Sequence, residues 1–263
     1  MVNKYFSVQI TPDIINGDVS DIIGNQVPAA TDNPIDNNGL LFDWMAIDVP
    51  KGVNMLRSVS AYIMGEDGAT QNAASFTLVF AKTIDNVAPG TLGDTGAVQS
   101  ACFELPKHYI GCVKLGGANN EGSFPGVFGR MYTSTSGADS DGVAGYGTPL
   151  VLPLEDSSGT NVGYDKLYVA GFSEGGMDFS TGVKPTAQAT TSTATMAVDG
   201  VDPRKCFQIG DTVYTNTDDT ALGTVKSMAS DSIVLNANLA AQVEDNEEIV
   251  NANPIRITLG FER

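Results

Sequence analysis

The sequence predicts an all-β protein: an antiparallel β-sandwich, jelly-roll-like, carrying a small inserted SH3-like β-barrel. Three observations lead there. Apolar and polar residues alternate over short runs, the pattern of strands whose successive side chains point to opposite faces. Twenty-nine glycines among 263 residues, with Pro and Asn between them, leave few stretches long enough for a helix and favour many short strands joined by turns. The closing residues 254–262, PIRITLGFE, set Ile255, Ile257, Leu259 and Phe261 against Arg256, Thr258, Gly260 and Glu262. So clean an amphipathic strand needs a sheet to lie on, and the compact barrel before it does not need another strand.

Along the chain, residues 4–10 alternate Phe6, Val8 and Ile10 against Tyr5, Ser7 and Gln9, a first strand. Residues 11–38 are long and turn-rich, an arm expected to reach a neighbouring subunit. Residues 40–84 hold three strand-like runs, LLFDWMAIDV, LRSVSAYIM and SFTLVFAKTI. With Gly, Pro, Asn and Asp in the connectors, they predict an antiparallel meander. Phe42, Trp44, Phe76 and Phe80 would seed its core, and Leu56 would lie on the face opposite Val59.

Further on, residues 102–105 and 108–115 are strand candidates separated by Pro106, and 126–132 is another within a Gly/Ser/Asn-rich region. Residues 148–154 suit an edge strand, because Pro149 and Pro153 cannot donate to a ladder. A Thr/Ala/Ser-rich stretch follows, and residues 206–249 then carry short strands at the spacing of a five-stranded barrel, with one helical turn within 238–248. The expected division is a main domain of residues 1–183 plus 254–263, a linker at 184–203 and an inserted barrel at 204–253.

Charge and composition exclude several function classes. A net charge of −17, with 14 scattered basic residues, offers no cluster to neutralise phosphates, so no nucleic-acid partner is expected. Three cysteines without CxxC spacing form neither a disulfide framework nor a zinc site, and read as buried thiols in a reducing compartment. The first residues lack the apolar core of a signal peptide, and no run approaches membrane-spanning length. The expectation is a chain made in a cytoplasm, with no membrane partner.

Sites for chemistry are sparse. His108 is the only histidine, so any His-dependent triad would have to use it; no nucleophile signature lies near it. Asp139, Asp141 and Gly142 make half of a calcium-loop pattern without the downstream bidentate Glu. Asp218, Asp219 and the acidic run 244–248 read as solvated faces. No spacing identifies a paired-carboxylate glycosidase site, and GYGTP and FSEGGMDF match no phosphate-binding loop. The sequence therefore predicts no catalytic residue, no metal site and no cofactor. Tyr132 and Tyr146, with Phe124 and Phe128 nearby, are the aromatics a glycan would use if the loops of 116–147 bound one.

Taken together, NKYFSVQITP, LLFDWMAIDVPKG, LVFAKTI and NVGYDKLYVAGF…MDFSTGV resemble a group of virion structural proteins of tailed bacteriophages, especially the cyanophage type. The likeness spans most of residues 1–183, and the segment 206–253 is similar to small β-barrel modules of phage virion proteins. The resemblance implies a capsid decoration (cement) protein on the virion surface. It would be a homo-oligomer, most simply a homotrimer on an icosahedral lattice, in contact with the major capsid protein. It carries over no active-site residue. The alternative is a tail-fibre or receptor-binding module for a host surface glycan.

Overall fold

The computed structural model describes residues 5–14, 39–49, 54–72, 74–84, 87–92, 105–116, 121–124, 129–134, 148–152, 166–216 and 221–263. Its first nine strands are β1 (Tyr5–Ile10), β2 (Leu40–Asp48), β3 (Asn54–Ile63), β4 (Phe76–Lys82), β5 (Tyr109–Leu115), β6 (Glu121–Phe124), β7 (Gly129–Thr133), β8 (Leu150–Leu152) and β9 (Lys166–Ser173). Six more follow: β10 (Val183–Pro185), β11 (Thr195–Gly200), β12 (Thr212–Thr215), β13 (Gly223–Ala229), β14 (Ser232–Leu235) and β15 (Ile249–Asn251). The last is β16 (Ile255–Glu262).

One sheet runs β1-β16-β3-β7-β6, with β8 beside the start of β3; the other runs β2-β9-β4-β5. All pairs are antiparallel. The chain passes back and forth between the sheets, β1, β3, β7 and β16 in one and β2, β4, β5 and β9 in the other. With β6 and β8 as additions to the six-stranded sheet, the remaining four strands of each sheet are wound in the order of a jelly roll. Strand β16 lies between β1 and β3, pairing Ile257 with Ile10 on one side and with Ala61 on the other.

The expected meander over residues 40–84 is absent. Its three runs are strands, but β2 and β4 lie in one sheet and β3 in the other, and none pairs with the next. Alternation tells which face of a strand is buried without naming its neighbour, so a run of consecutive strands reads alike whether it hairpins or crosses. Leu56 is also corrected. The ladder shifts where Gly260 pairs Ser58 and Phe261 pairs Leu56, which leaves Arg57 as the extra residue of a bulge. The bulge turns Leu56 inward beside Val59, and both are fully buried.

Between the sheets Phe42, Phe76 and Phe80 meet Leu56, Ile63, Ile257, Leu259 and Phe261. Each such side chain contributes roughly 1.5–3 kcal/mol on leaving water. Trp44 is not among them. It packs with Leu40, Leu92, Ala170 and Phe172 on the outer side of the second sheet, its indole donating to the Gly90 carbonyl at 3.0 Å. Glycine is required where Phe42 lies against Gly171, because a Cβ there would overlap the ring.

The barrel closes in the order β10-β11-β14-β13-β12-β15. It has six strands where five were expected, because residues 184–203 are not a linker: they hold most of β10 and all of β11. The composition hid an alternation, TMAVDG, in which Met196 and Val198 are buried and Thr195 and Ala197 exposed. Threonine is itself a strand-favouring residue. Residues 238–248 form no helical turn, whereas Leu105–His108 do form one, where the sequence suggested the end of one strand and the start of another. Met177 and Phe179 are buried where the roll meets the barrel, and one apolar cluster runs through both regions.

Candidate functional site

The chain crosses from roll to barrel at residues 174–182 and returns at 252–254, and the described polar chemistry concentrates there. Asn72, on the β3–β4 connector, donates through Nδ2 to the carbonyls of Met64 and Asp178, at 2.8 and 2.7 Å, and accepts from the Asp178 amide. Asp178 in turn accepts from the Ser180 amide at 2.8 Å. Glu248 accepts from the amides of Thr181 and Gly182, at 2.7 and 3.0 Å. Buried Asn72 and Asp178 are thus matched to partners, as low-dielectric surroundings demand.

The return crossing is held in the same way. Asn251 donates to the Cys206 carbonyl and to Asp211, at 2.7 and 2.8 Å. Asn253 accepts from the Thr212 amide at 2.9 Å and donates to Asp13 at 2.6 Å. The Ile14 amide donates to the Ala252 carbonyl at 2.8 Å, so the segment after β1 is stitched to the barrel's exit. Asp211, 2% exposed, also accepts from the Gln208 amide at 2.7 Å and forms an ion pair with Arg256 of β16. That pair joins a barrel turn to a roll strand.

Beside the ion pair lies a cavity of about 50 Å³, lined by Tyr62, Met64 and Arg256 of the roll and by Cys206, Phe207 and Asn251 of the barrel, among others. It is large enough for a water molecule or two. Burial pushes the Tyr62 phenol above its ordinary value, with Arg256 pulling partly the other way. Burial, reinforced by Asp67 and Glu248, pushes the Cys206 thiol up to about 12, which keeps it protonated and unreactive. Gly129 sits beneath the Tyr62 ring, where a Cβ would collide with it.

None of these groups is paired as nucleophile and base. His108 is 5% exposed, with Nδ1 at 2.9 Å from the Lys82 carbonyl, which places it as a packing residue at the end of the helical turn. Among the described residues no group of three or more His, Cys, Asp or Glu side chains could hold a metal ion. Asp139, Asp141, Asp218, Asp219, Tyr146 and Phe128 lie outside the described residues, as does the arm beyond Ile14. Tyr132 is corrected as a glycan platform. It is fully buried, set edge-on to Phe76 with centroids 6.0 Å apart, and its hydroxyl donates to the Ala74 carbonyl at 3.1 Å.

Sequence reading missed the junction. Arg256 read as the polar side of an amphipathic strand, and nothing in the spacing joined it to Asp211. Isolated Asn residues at 251 and 253, just before a proline, were the available signal, since such residues hold turns through their side chains. No known family matches the chain, and neither the curated proteins nor the solved structures yield a significant match.

Proposed function

We propose that this chain is a non-enzymatic structural protein of a tailed-phage virion. It decorates the outside of the capsid as an oligomer in contact with the major capsid protein. One observation carries the reading: the concentrated polar groups at the junction fasten a barrel to a jelly roll, and none is arranged to turn over a substrate. Such a molecule is built to hold a shape and present surfaces. Jelly rolls recur in viral capsid and lectin domains, although fold alone does not give function. The net charge of −17 suits a surface turned away from packaged DNA, which repels it. The resemblance of residues 1–183 to virion proteins points the same way.

The test is made on purified particles of the virus that encodes the chain. Quantitative mass spectrometry is expected to find it at capsid-scale copy number, and immunogold labelling to decorate the head. Absence from the particle, or gold confined to the tail tip, overturns the proposal; the latter result would favour receptor binding.

A further inference from the structure

The cavity between roll and barrel has a charge unlike that of the chain as a whole. Acidic residues outnumber basic ones 31 to 14 overall. Yet among the described residues that line this cavity stand Arg204, Lys205 and Arg256, and no Asp or Glu. Three positive groups around one small space repel one another, and the aspartates that pair with the two arginines lie outside the lining. Asp202 takes Nε and Nη2 of Arg204, at 2.9 and 2.6 Å, and Asp211 takes Nη2 of Arg256. A guanidinium carries five N–H donors. Each arginine is therefore fixed from one side and keeps donors unspent: Nη1 of Arg204, and Nε and Nη1 of Arg256, make no hydrogen bond among the described residues.

The neutral groups of the lining tell the same way. The Tyr62 hydroxyl makes no hydrogen bond among the described residues, and burial, which pushes its phenol up, keeps it a donor. The side-chain oxygens of Asn251 and Asn253 are already taken, by the amides of Asn253 and Thr212 at 2.8 and 2.9 Å. Gln208, whose amide can turn either end inward, is the exception. The lining thus offers positive charge and donors, and few acceptors are left to balance them. Water both donates and accepts, so it fits such a surface less well than a group that only accepts.

We propose that this cavity is a binding site for a carboxylate, borne by a free organic acid or by an acidic side chain. Its volume of about 50 Å³ admits a carboxyl group in place of the one or two waters it can hold. The planar edge of a guanidinium matches the two oxygens of a carboxylate. A polyvalent phosphate is disfavoured, because it meets the repulsion of a chain of net charge −17 more strongly than a single negative charge does. Asp211 serves as a positioning residue, holding Arg256, whose side chain is only 16% exposed. Exposed Arg204 and Gln208 give the ligand its way in from solvent. The site stands whether or not the virion reading holds.

The test is a titration of the full chain with sodium acetate at constant ionic strength, followed by proton–nitrogen correlation NMR. The side-chain signals of Arg204 and Arg256 are expected to shift along one saturable curve with a millimolar midpoint, and sodium chloride in place of acetate to leave them still. Tyr62→Phe keeps the ring over Gly129 and removes only the hydroxyl; it is expected to raise the acetate Kd about tenfold. Gln208→Glu, at an exposed position, sets a negative group in the lining and is expected to abolish binding. Lys226→Gln, beside the same turn on β13 but outside the lining, should leave it nearly unchanged. A capped glutamyl peptide separates the sources: binding much tighter than acetate assigns the site to an acidic side chain, and equal or weaker binding assigns it to a free acid. Shifts that do not saturate, an equal response to inorganic phosphate or chloride, or wild-type binding by Gln208→Glu overturns the proposal. If Tyr62→Phe misfolds, Gln208→Glu decides alone.

Discussion

In the barrel every strand has two neighbours, from β10 round to β15 and back, whereas among the described residues the roll's two sheets end in strands with one neighbour each. The difference shows in how each region is held. The barrel satisfies its backbone within itself, and nearly all of residues 183–251 belong to the described part of the chain. The roll relies on inter-sheet packing of large side chains and on being tied to the barrel at two crossings. A closed sheet needs little from its surroundings; an open sandwich needs something at its edges and ends. Because one apolar cluster runs through both, the two regions are expected to unfold together.

The strongest attack on that unity is Phe76→Ala. Phe76 is fully buried between the sheets, and its loss is expected to cost about 3–5 kcal/mol. In urea, Trp44, the single tryptophan and a reporter on the roll, should lose its folded signal at the same denaturant concentration at which barrel amides lose exchange protection. Separate midpoints would show that the barrel stands alone and that the shared core does not couple the regions.

Next in size is the tie itself. Arg256→Ala leaves buried Asp211 without its counter-charge, an expected loss of about 3 kcal/mol. Here the single transition is expected to split, the roll melting first. With Asp211 2% exposed and the Arg256 side chain 16% exposed, raising the salt concentration should change the loss little. The double variant Arg256→Met, Asp211→Asn should recover most of it. Calorimetry checks both.

A third measurement concerns Cys206. Its thiol stays protonated up to about 12 in the folded protein, whereas in the unfolded chain it ionises near 9. Above pH 9 the unfolded state therefore binds fewer protons, and stability falls as pH rises toward 12, by on the order of 1 kcal/mol per pH unit. The contribution is fully present below pH 9. Denaturation midpoints between pH 8 and about 11 should decline less steeply for Cys206→Ala than for the wild type.

The smallest effect is expected at Asp202, which caps the 3-10 turn Pro203–Lys205 by accepting from the Arg204 amide at 3.0 Å. Asp202→Ala should cost about 0.5–1 kcal/mol and leave the cooperativity of unfolding intact.

What the sequence made legible follows from what periodicity encodes. The alternation of Ile255, Ile257, Leu259 and Phe261 was enough to mark β16 as a one-sided strand, and turn density was enough for the all-β class. Pairing partners were not legible, because β2, β3 and β4 show the same alternation whether they hairpin or cross between sheets. Bulges escaped for a related reason: strict alternation sets Arg57 on the face of Val59, and only the pairing of Gly260 and Phe261 across from it reveals an extra residue. In β11 a real alternation, Met196 and Val198, was concealed by small residues around it. The junction was least legible of all, since Asp211 and Arg256 lie 45 residues apart and meet only because β16 returns to the roll beside the barrel's turn.

Val183, at the start of the barrel, pairs directly with Ile249, near its end. Residues opposed in an antiparallel ladder stand only about 5 Å apart, so the whole module hangs from a narrow doorway. Such a doorway makes the barrel exchangeable: a different domain whose own ends lie close together would fit the same gap and leave the roll's winding undisturbed. Lineages carrying this scaffold would thus have a ready position for swapping what they display without redesigning what supports it.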